Sequence, residues 1–315
     1  MKSAGRVLTV GSVNMDLVIR VPRLPLWGEC LMGEDFQTIP GGKGANQALG
    51  AAKAGAHSSL VGRVGADLFG AELRAGLGRA GVDVSHLKPD PEAANGVALI
   101  MLKPEGDNCI VIAGGANMRC TAADVEEARP LFAAAAILLI QLEITPAVVK
   151  RALQLARECD LPVFLDPAPA HNFTPDLMEG VLVAAPNETE AQTITGIDCS
   201  TPEGAGQAAT RLVEMGARHG IVKLGERGLV WSDGERARRL PAFRVEPVDT
   251  TAAGDAFAAG FAVAFAEGQP LEQALVFASA AGAISVTRMG AQPSMPTRQE
   301  IQDFLASRPA PSFSE

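Results

Sequence analysis

Short apolar runs alternate along this chain with Ala-rich amphipathic stretches, and that rhythm restricts the fold more than any other feature. Strand-like runs occupy residues 7–10, 59–64, 137–142, 163–166, 181–185, 221–224 and 229–231. Helical spacing of apolar residues fills 46–53, 71–80, 147–158, 206–215, 256–266 and 271–286. Parallel strands need a long crossover, and a helix packed on the sheet supplies it. The pattern therefore predicts an α/β chain: a doubly wound, mostly parallel sheet flanked by helices. Ligands of such sheets gather beyond the carboxyl ends of the strands, so polar residues just after strands are the candidates for chemistry.

Two stretches break the rhythm. Residues 14–40 carry Pro22, Pro25 and Gly28 without helical spacing, and residues 95–113 read as strands 97–102 and 109–112 around a turn at 103–108. The expectation is one small β-sheet formed by both stretches, a lid over the active-site edge; two unrelated surface hairpins satisfy the same residues. The expected organisation is a single domain over 1–308 with a frayed tail at 309–315.

With 27 Lys and Arg against 36 Asp and Glu, the net charge is −9. A chain without a basic face is not expected to bind nucleic acid. Five scattered cysteines with no CxxC pair argue against a disulfide framework or a zinc site, and for reduced thiols in a cytoplasm. The first ten residues lack a signal-peptide pattern. The longest apolar run, 131–140, is too short to span a bilayer and reads as an Ala-rich helix end running into a strand, so no membrane partner is expected.

The densest candidate for chemistry is Asp249-Thr250-Thr251-Ala252-Ala253-Gly254-Asp255-Ala256-Phe257, between a strand-like 243–248 and an apolar helical run. N–H groups at a helix start lack partners and point toward an incoming anion. The small side chains of Ala252, Ala253 and Gly254 let a phosphate approach that backbone. Asp255 falls in the first turn, where its carboxylate can take a proton from an attacking hydroxyl. An ordinary pKa of roughly 4 keeps it ionised at neutral pH. A helix-capping aspartate explains one acid but leaves the small residues and Asp249 unexplained.

Other constellations are weaker singly. Gly41-Gly42-Lys43-Gly44-Ala45-Asn46-Gln47-Ala48 is not a Walker A loop, since Gly44 stands where Ser or Thr is needed, and not GxGxxG, since Gln47 stands at the third glycine. A glycine-rich turn explains the Gly-Gly pair alone. Asn14 and Asp16 follow the first strand and share a face, an amide and a carboxylate suited to sugar hydroxyls; an Asx turn explains either alone. Lys43 and Asn46 beside that segment favour a polar-ligand site. Asn187 and Glu190 are three apart after a strand and could orient Mg²⁺ through water, or could simply start a helix. Lys223-Leu224-Gly225-Glu226-Arg227-Gly228 suits close approach of a nucleotide, or an ordinary hairpin turn. Glu143 and Asp166 also end strands. His57, His86, His171 and His219 have no ligand spacing.

Taken together and in this order, the blocks closely resemble the PfkB-type carbohydrate kinases over about residues 7–305. The resemblance rests on the glycine-rich block 41–48 and the block 249–260. Gln141-Leu142-Glu143, Asp166-Pro167-Ala168-Pro169-Ala170, residues 186–190 and Gly290-Ala291-Gln292-Pro293-Ser294 extend it. It implies ATP-dependent phosphorylation of a sugar. Asn14, Asp16, Asn46 and Glu143 point within the family to D-ribose and its 5-hydroxyl, giving D-ribose 5-phosphate and ADP. By the same resemblance Asn14, Asp16, Gly42, Lys43, Asn46 and Glu143 bind sugar. Asn187, Lys223, Gly225, Glu226, Gly228, Gly254 and Ser279 line the ATP site, with Asn187 and Glu190 near Mg²⁺. Ala252, Ala253 and Gly254 form the anion hole and Asp255 is the base. Asp249, Thr251, Ser285, Arg288, Gly290 and Ser294 resemble a K⁺ site built mostly of carbonyls. A homodimer through the β lid is also implied.

Lys223, Glu226 and Ser279 depart from the Thr, Ser and larger side chain frequent at those positions, and Glu226 is expected to point outward. Competing readings are a kinase for 2-deoxyribose or another small sugar, and a catalytically silent sugar or nucleotide sensor. A nucleotide-binding oxidoreductase lacks its GxGxxG fingerprint.

Overall fold

In the computed structural model, which describes residues 5–103 and 108–314, thirteen strands divide between two sheets. The strands are β1 (Arg6–Val10), β2 (Asn14–Arg20), β3 (Glu34–Gly41), β4 (His57–Gly65), β5 (Leu87–Asp90), β6 (Gly96–Leu102), β7 (Asn108–Ala113), β8 (Ile137–Ile140), β9 (Val163–Leu165), β10 (Val183–Ala184), β11 (His219–Lys223), β12 (Leu229–Ser232) and β13 (Ala237–Leu240). The helices are α1 (Lys43–Lys53), α2 (Leu68–Arg79), α3 (Ala122–Glu127), α4 (Arg129–Ala134), α5 (Pro146–Glu158), α6 (Glu188–Thr195), α7 (Pro202–Glu214), α8 (Ala253–Ala266), α9 (Leu271–Ser285), α10 (Ala291–Ser294) and α11 (Arg298–Ala306). None of the described helices is long and apolar enough to cross a membrane.

The large sheet has the order β13-β12-β11-β10-β9-β8-β1-β4-β5. Its strands from β11 to β5 run parallel, and β12 and β13 turn back antiparallel at one edge. From β1 the chain steps outward to β4 and β5, then returns to β8 on the opposite side. The order reverses between β1 and β8, the point at which a crevice opens beyond the strand ends.

Both faces of this sheet are covered, which explains why its central strands read as unbroken apolar runs. Alternate residues of β8 serve opposite layers. Ile137 and Leu139 join Phe164, Phe257 and Phe261 in the core beneath α1, α8 and α9, while Leu138 and Ile140 join Phe132, Val149 and Leu153 in the core beneath α4 and α5. The ring of Phe164 on β9 lies 5.2 Å from that of Phe261 on α8, fixing the late helix against the sheet.

The two β excursions meet in a second sheet of order β3-β2-β6-β7. β2 pairs antiparallel with β3 and parallel with β6, so both stretches contribute to one surface. The expected turn between β6 and β7 falls partly on residues 104–107, outside the described residues.

Some elements differ from the sequence reading. The strand-like 243–248 pairs with nothing: Pro241 and Pro247 have no N–H to give a ladder, and Val248 and Asp249 instead donate to the carbonyl of Val286. Residues 122–134 form α3 and α4, the first capped reciprocally by Thr121 and Asp124, where the periodicity shows only a helix end. β5 (Leu-Lys-Pro-Asp) and β13 (Ala-Arg-Arg-Leu) carry charged residues and no apolar run, so neither reads as a strand in the sequence.

Candidate active site

The small sheet grows out of the ends of the core elements. β1 ends at Val10, and four residues later Asn14 opens β2; β3 returns at Gly41, and Gly42 caps α1. Gly42 has φ +88°, and a Cβ there would stand 2.5 Å from the Asn14 nitrogen. A Cβ on Gly44 would stand 2.5 Å from the Gly11 carbonyl carbon. Glycine is needed at both because one backbone lies directly on the other. That stacking brings the Asn14 segment against the start of α1.

Glu143, just beyond β8, accepts from the Ser12 hydroxyl and from the Lys43 N–H at 3.3 Å. Asn14 is buried, and its Oδ1 accepts from Asn117 Nδ2 at 2.7 Å, which leaves the Asn14 amide N–H₂ as its free polar end. Asp16 is pushed up to about 7 by burial and by the nearby charges of Glu143 and Asp255.

Asp255 lies in the first turn of α8 and is buried. Its Oδ2 accepts from Asn46 Nδ2 at 2.9 Å and its Oδ1 from Gln47 Nε2 at 3.0 Å. Burial raises its pKa to about 6; Lys43 lowers it, Asp166 raises it, and the two amides lower it again. The ordinary value expected from the sequence is therefore corrected upward, because the site withdraws this carboxylate from water. Lys43 loses hydration through burial, yet the charges of Asp255, Asp166, Glu143 and Glu190 hold its pKa above the usual lysine range.

The start of α8 has no side-chain cap, and Ala252 adopts the left-handed conformation at φ 59°. A Cβ on Gly254 would lie 3.2 Å from Lys223 Nζ, so the lysine ammonium sits over this helix start. Lys223 is ion-paired with buried Asp166 at 3.0 Å. The backbone of Asn187 bridges to Lys223, which places the start of α6 alongside β11. Asn187 and Glu190 cap one another at the start of α6, so the helix-start explanation of that pair holds locally. Glu190 is nonetheless raised above its ordinary pKa by burial and by the negative charge of Asp166. Gly225 and Glu226 are exposed in the turn before β12, with Gly228 at φ 91° closing it and Ser279 half-buried on α9.

A further cluster lies behind α8. The two oxygens of Asp249 accept from the N–H groups of Thr251 and Gly290, and Ser285 shares a hydrogen bond of 2.8 Å with Ser294. The Arg288 guanidinium is bound instead to Glu300 at 2.7 Å, and the Thr251 side chain is exposed.

Sequence reasoning missed Ser12, Gln47 and Asn117 and left Asp166 without a role. Gln47 adjoins Asn46 in the glycine-rich block and Asp166 ends a strand, so both carried a local signal. Asn117 is 103 residues from Asn14, and nothing near it in the chain marks it.

A model of the family described as pfkB family carbohydrate kinase matches residues 4–298. A ribokinase of Haemophilus influenzae is 38% identical over 301 residues, covering 95% of this chain and 98% of that protein. A deoxyribokinase of Salmonella typhi is 32% identical over 301 residues, with 95% and 98% covered. The structure of Arabidopsis thaliana ribokinase complexed with ribose and ATP superposes with a TM-score of 0.89 at 35% identity, covering 96% of this chain and 99% of that one.

Proposed function

This chain belongs to the pfkB family of carbohydrate kinases, and we propose from that premise that it transfers the γ-phosphoryl group of ATP to the 5-hydroxyl of D-ribose. The observation that carries the reading is the buried Asp255 carboxylate, held by Asn46 and Gln47 at the uncapped start of α8. The higher identity to the protein named ribokinase than to the one named deoxyribokinase favours ribose.

Phosphoryl transfer asks the protein mainly for alignment and charge stabilisation. Asn14, Asp16, Asn46 and Glu143, with the backbone of Gly42 and Lys43, hold the sugar at the lid junction. Asp255 accepts the proton of the hydroxyl as it attacks. The N–H groups from Ala252 to Asp255 and the Lys223 ammonium meet the charge on the transferring group. Gly225, Gly228 and Ser279 border the nucleotide, and Glu226, exposed, faces solvent.

Two cations accompany this reading. Asn187 and Glu190 would hold Mg²⁺ through water; a half-buried glutamate kept close to Asp166 suits a divalent cation, and the ion would neutralise phosphate charge. K⁺ would lie beside Asp249, taking carbonyl oxygens near Thr251, Ser285, Arg288, Gly290 and Ser294. The oxygen donors there fit it, and the Arg288 side chain, engaged with Glu300, takes no part. The lid would pair two copies. Leu26, Trp27, Phe36, Ile110, Val111 and Ile112 are between 50% and 105% exposed, an apolar surface that a homodimer would cover. None of the five cysteines is in a disulfide, which fits a cytoplasmic protein.

The test is ADP release with ribose, 2-deoxyribose and fructose, each with and without K⁺. Ribose is expected to give the highest kcat/KM and K⁺ to raise it. A preference for deoxyribose transfers the chain to that activity, and no turnover with any sugar despite ATP binding would point to a sensor.

A further inference from the structure

Gln47 lies fully buried on α1 between the catalytic carboxylate and the nucleotide side of the cleft. Its Nε2 donates to Asp255 Oδ1 at 3.0 Å and to Asp166 Oδ2 at 3.2 Å, and its Oε1 accepts from Gln141 Nε2. The orientation of this amide is unambiguous. Ionised carboxylates only accept, so the N–H₂ must face the two aspartates and the carbonyl must face Gln141. Both amide protons are thereby used, one on each acid. Asp166 is held in turn by Lys223, so hydrogen bonds run without a break from Asp255 through Gln47 and Asp166 to the ammonium over the start of α8.

We infer that Gln47 is a positioning residue, aiming the Asp255 carboxylate at the sugar hydroxyl and tying it to the Asp166–Lys223 pair on the phosphate side. The inference rests on Asp255 being the base. Asn46 holds one oxygen of that carboxylate from the sugar side; without Gln47 the other oxygen is free to rotate out of line. A misplacement of about 1 Å in such a site costs on the order of a hundredfold in rate. Removing the amide also removes a donor that favours the ionised acid. Lys43, Asp166 and Asp16 then remain as the charged groups facing Asp255, and two of the three are negative.

The experiment compares Gln47→Met, Gln47→Glu and Asp255→Asn with the parent in steady-state kinetics with ribose and ATP across pH 5.5 to 9, with melting temperatures. Gln47→Met is expected to lower kcat about tenfold to a hundredfold with both KM values within about threefold. The acid limb of kcat/KM should move upward by roughly one pH unit. Gln47→Glu keeps the size of the side chain and replaces the donor by a carboxylate, so it should shift the same limb in the same direction even if Gln47→Met fails to fold. A variant that lowers only the melting temperature and leaves the acid limb in place overturns the positioning role. If Asp255→Asn itself keeps near-parent turnover, the base assignment beneath the inference fails instead, and the two failures are distinct.

Discussion

Adding one methyl group at Gly41 should weaken sugar recognition without touching the nucleotide or the base. Gly41 sits at the end of β3 opposite Asn14 on β2. A Cβ there would stand 2.3 Å from Asp16 Oδ2, 2.6 Å from its Cγ and 2.7 Å from its Oδ1. Ordinary contact begins near ~3.5 Å, so in Gly41→Ala the carboxylate has to retreat by about 1 Å. A hydrogen bond lengthened by that much is lost. A bond from a hydroxyl to a charged acceptor contributes about 1.5–3 kcal/mol. At about 1.4 kcal/mol per tenfold, each lost contact lowers kcat/KM for the sugar roughly 10- to 100-fold. Alanine in a strand otherwise gains about 0.5–1 kcal/mol over glycine, so the fold is not expected to suffer. The assay couples ADP release to NADH oxidation, varying sugar at saturating ATP and then ATP at saturating sugar. A folded Gly41→Ala protein whose sugar kcat/KM lies within twofold of the parent would falsify the placement of Asp16 in the sugar site. An equal loss toward ATP would mean that the methyl disturbs more than Asp16.

Asp255→Asn is expected to lose turnover by about two or more orders of magnitude while still binding ATP, measured by single-turnover kinetics and calorimetry. The folded-state pKa of Asp255, about 6, lies above its ordinary 3.8, so its contribution to stability falls as pH rises from 3.8 through about 6. At neutral pH the ionised acid then costs on the order of 3 kcal/mol, and Asp255→Asn should melt no lower than the parent at pH 7.5; a clear drop in melting temperature there speaks against that cost. Activity should rise with pH through about 6 to about 7, because both Asp255 and Asp16 must lose their protons, and a pH profile flat across that range rejects both assignments. Lys223→Met removes the ion-pair partner of buried Asp166 and should destabilise by about 3 kcal/mol in urea melts, part of it recovered in the Lys223→Met/Asp166→Asn pair. Ile110→Glu with Ile112→Lys, both on one face of β7, should convert the proposed dimer to monomers in sedimentation; an unaltered oligomeric state places the interface elsewhere.

Local chemistry made much of this protein readable from its residues. The alternation of apolar runs with helical spacing follows from covering both faces of a parallel sheet, and it marked the large sheet's central strands and the helices around them. The glycines at 42 and 44 and the small residues before Asp255 mark places where backbone must meet backbone or a ligand. Other features depend on partners distant in the chain. Asn117 holds Asn14 across 103 residues, and Gln47 meets Asp255 across 208. The pKa of Asp255 follows from burial among Lys43, Asp166 and two amides supplied by another helix, which no window around residue 255 contains. The strand-like 243–248 segment forms no ladder, because Pro247 has no N–H to give and Val248 donates instead to Val286, a residue distant in the chain. Spacing along the chain determined which residues could act; the folded contacts decided which way they point and how tightly they hold a proton.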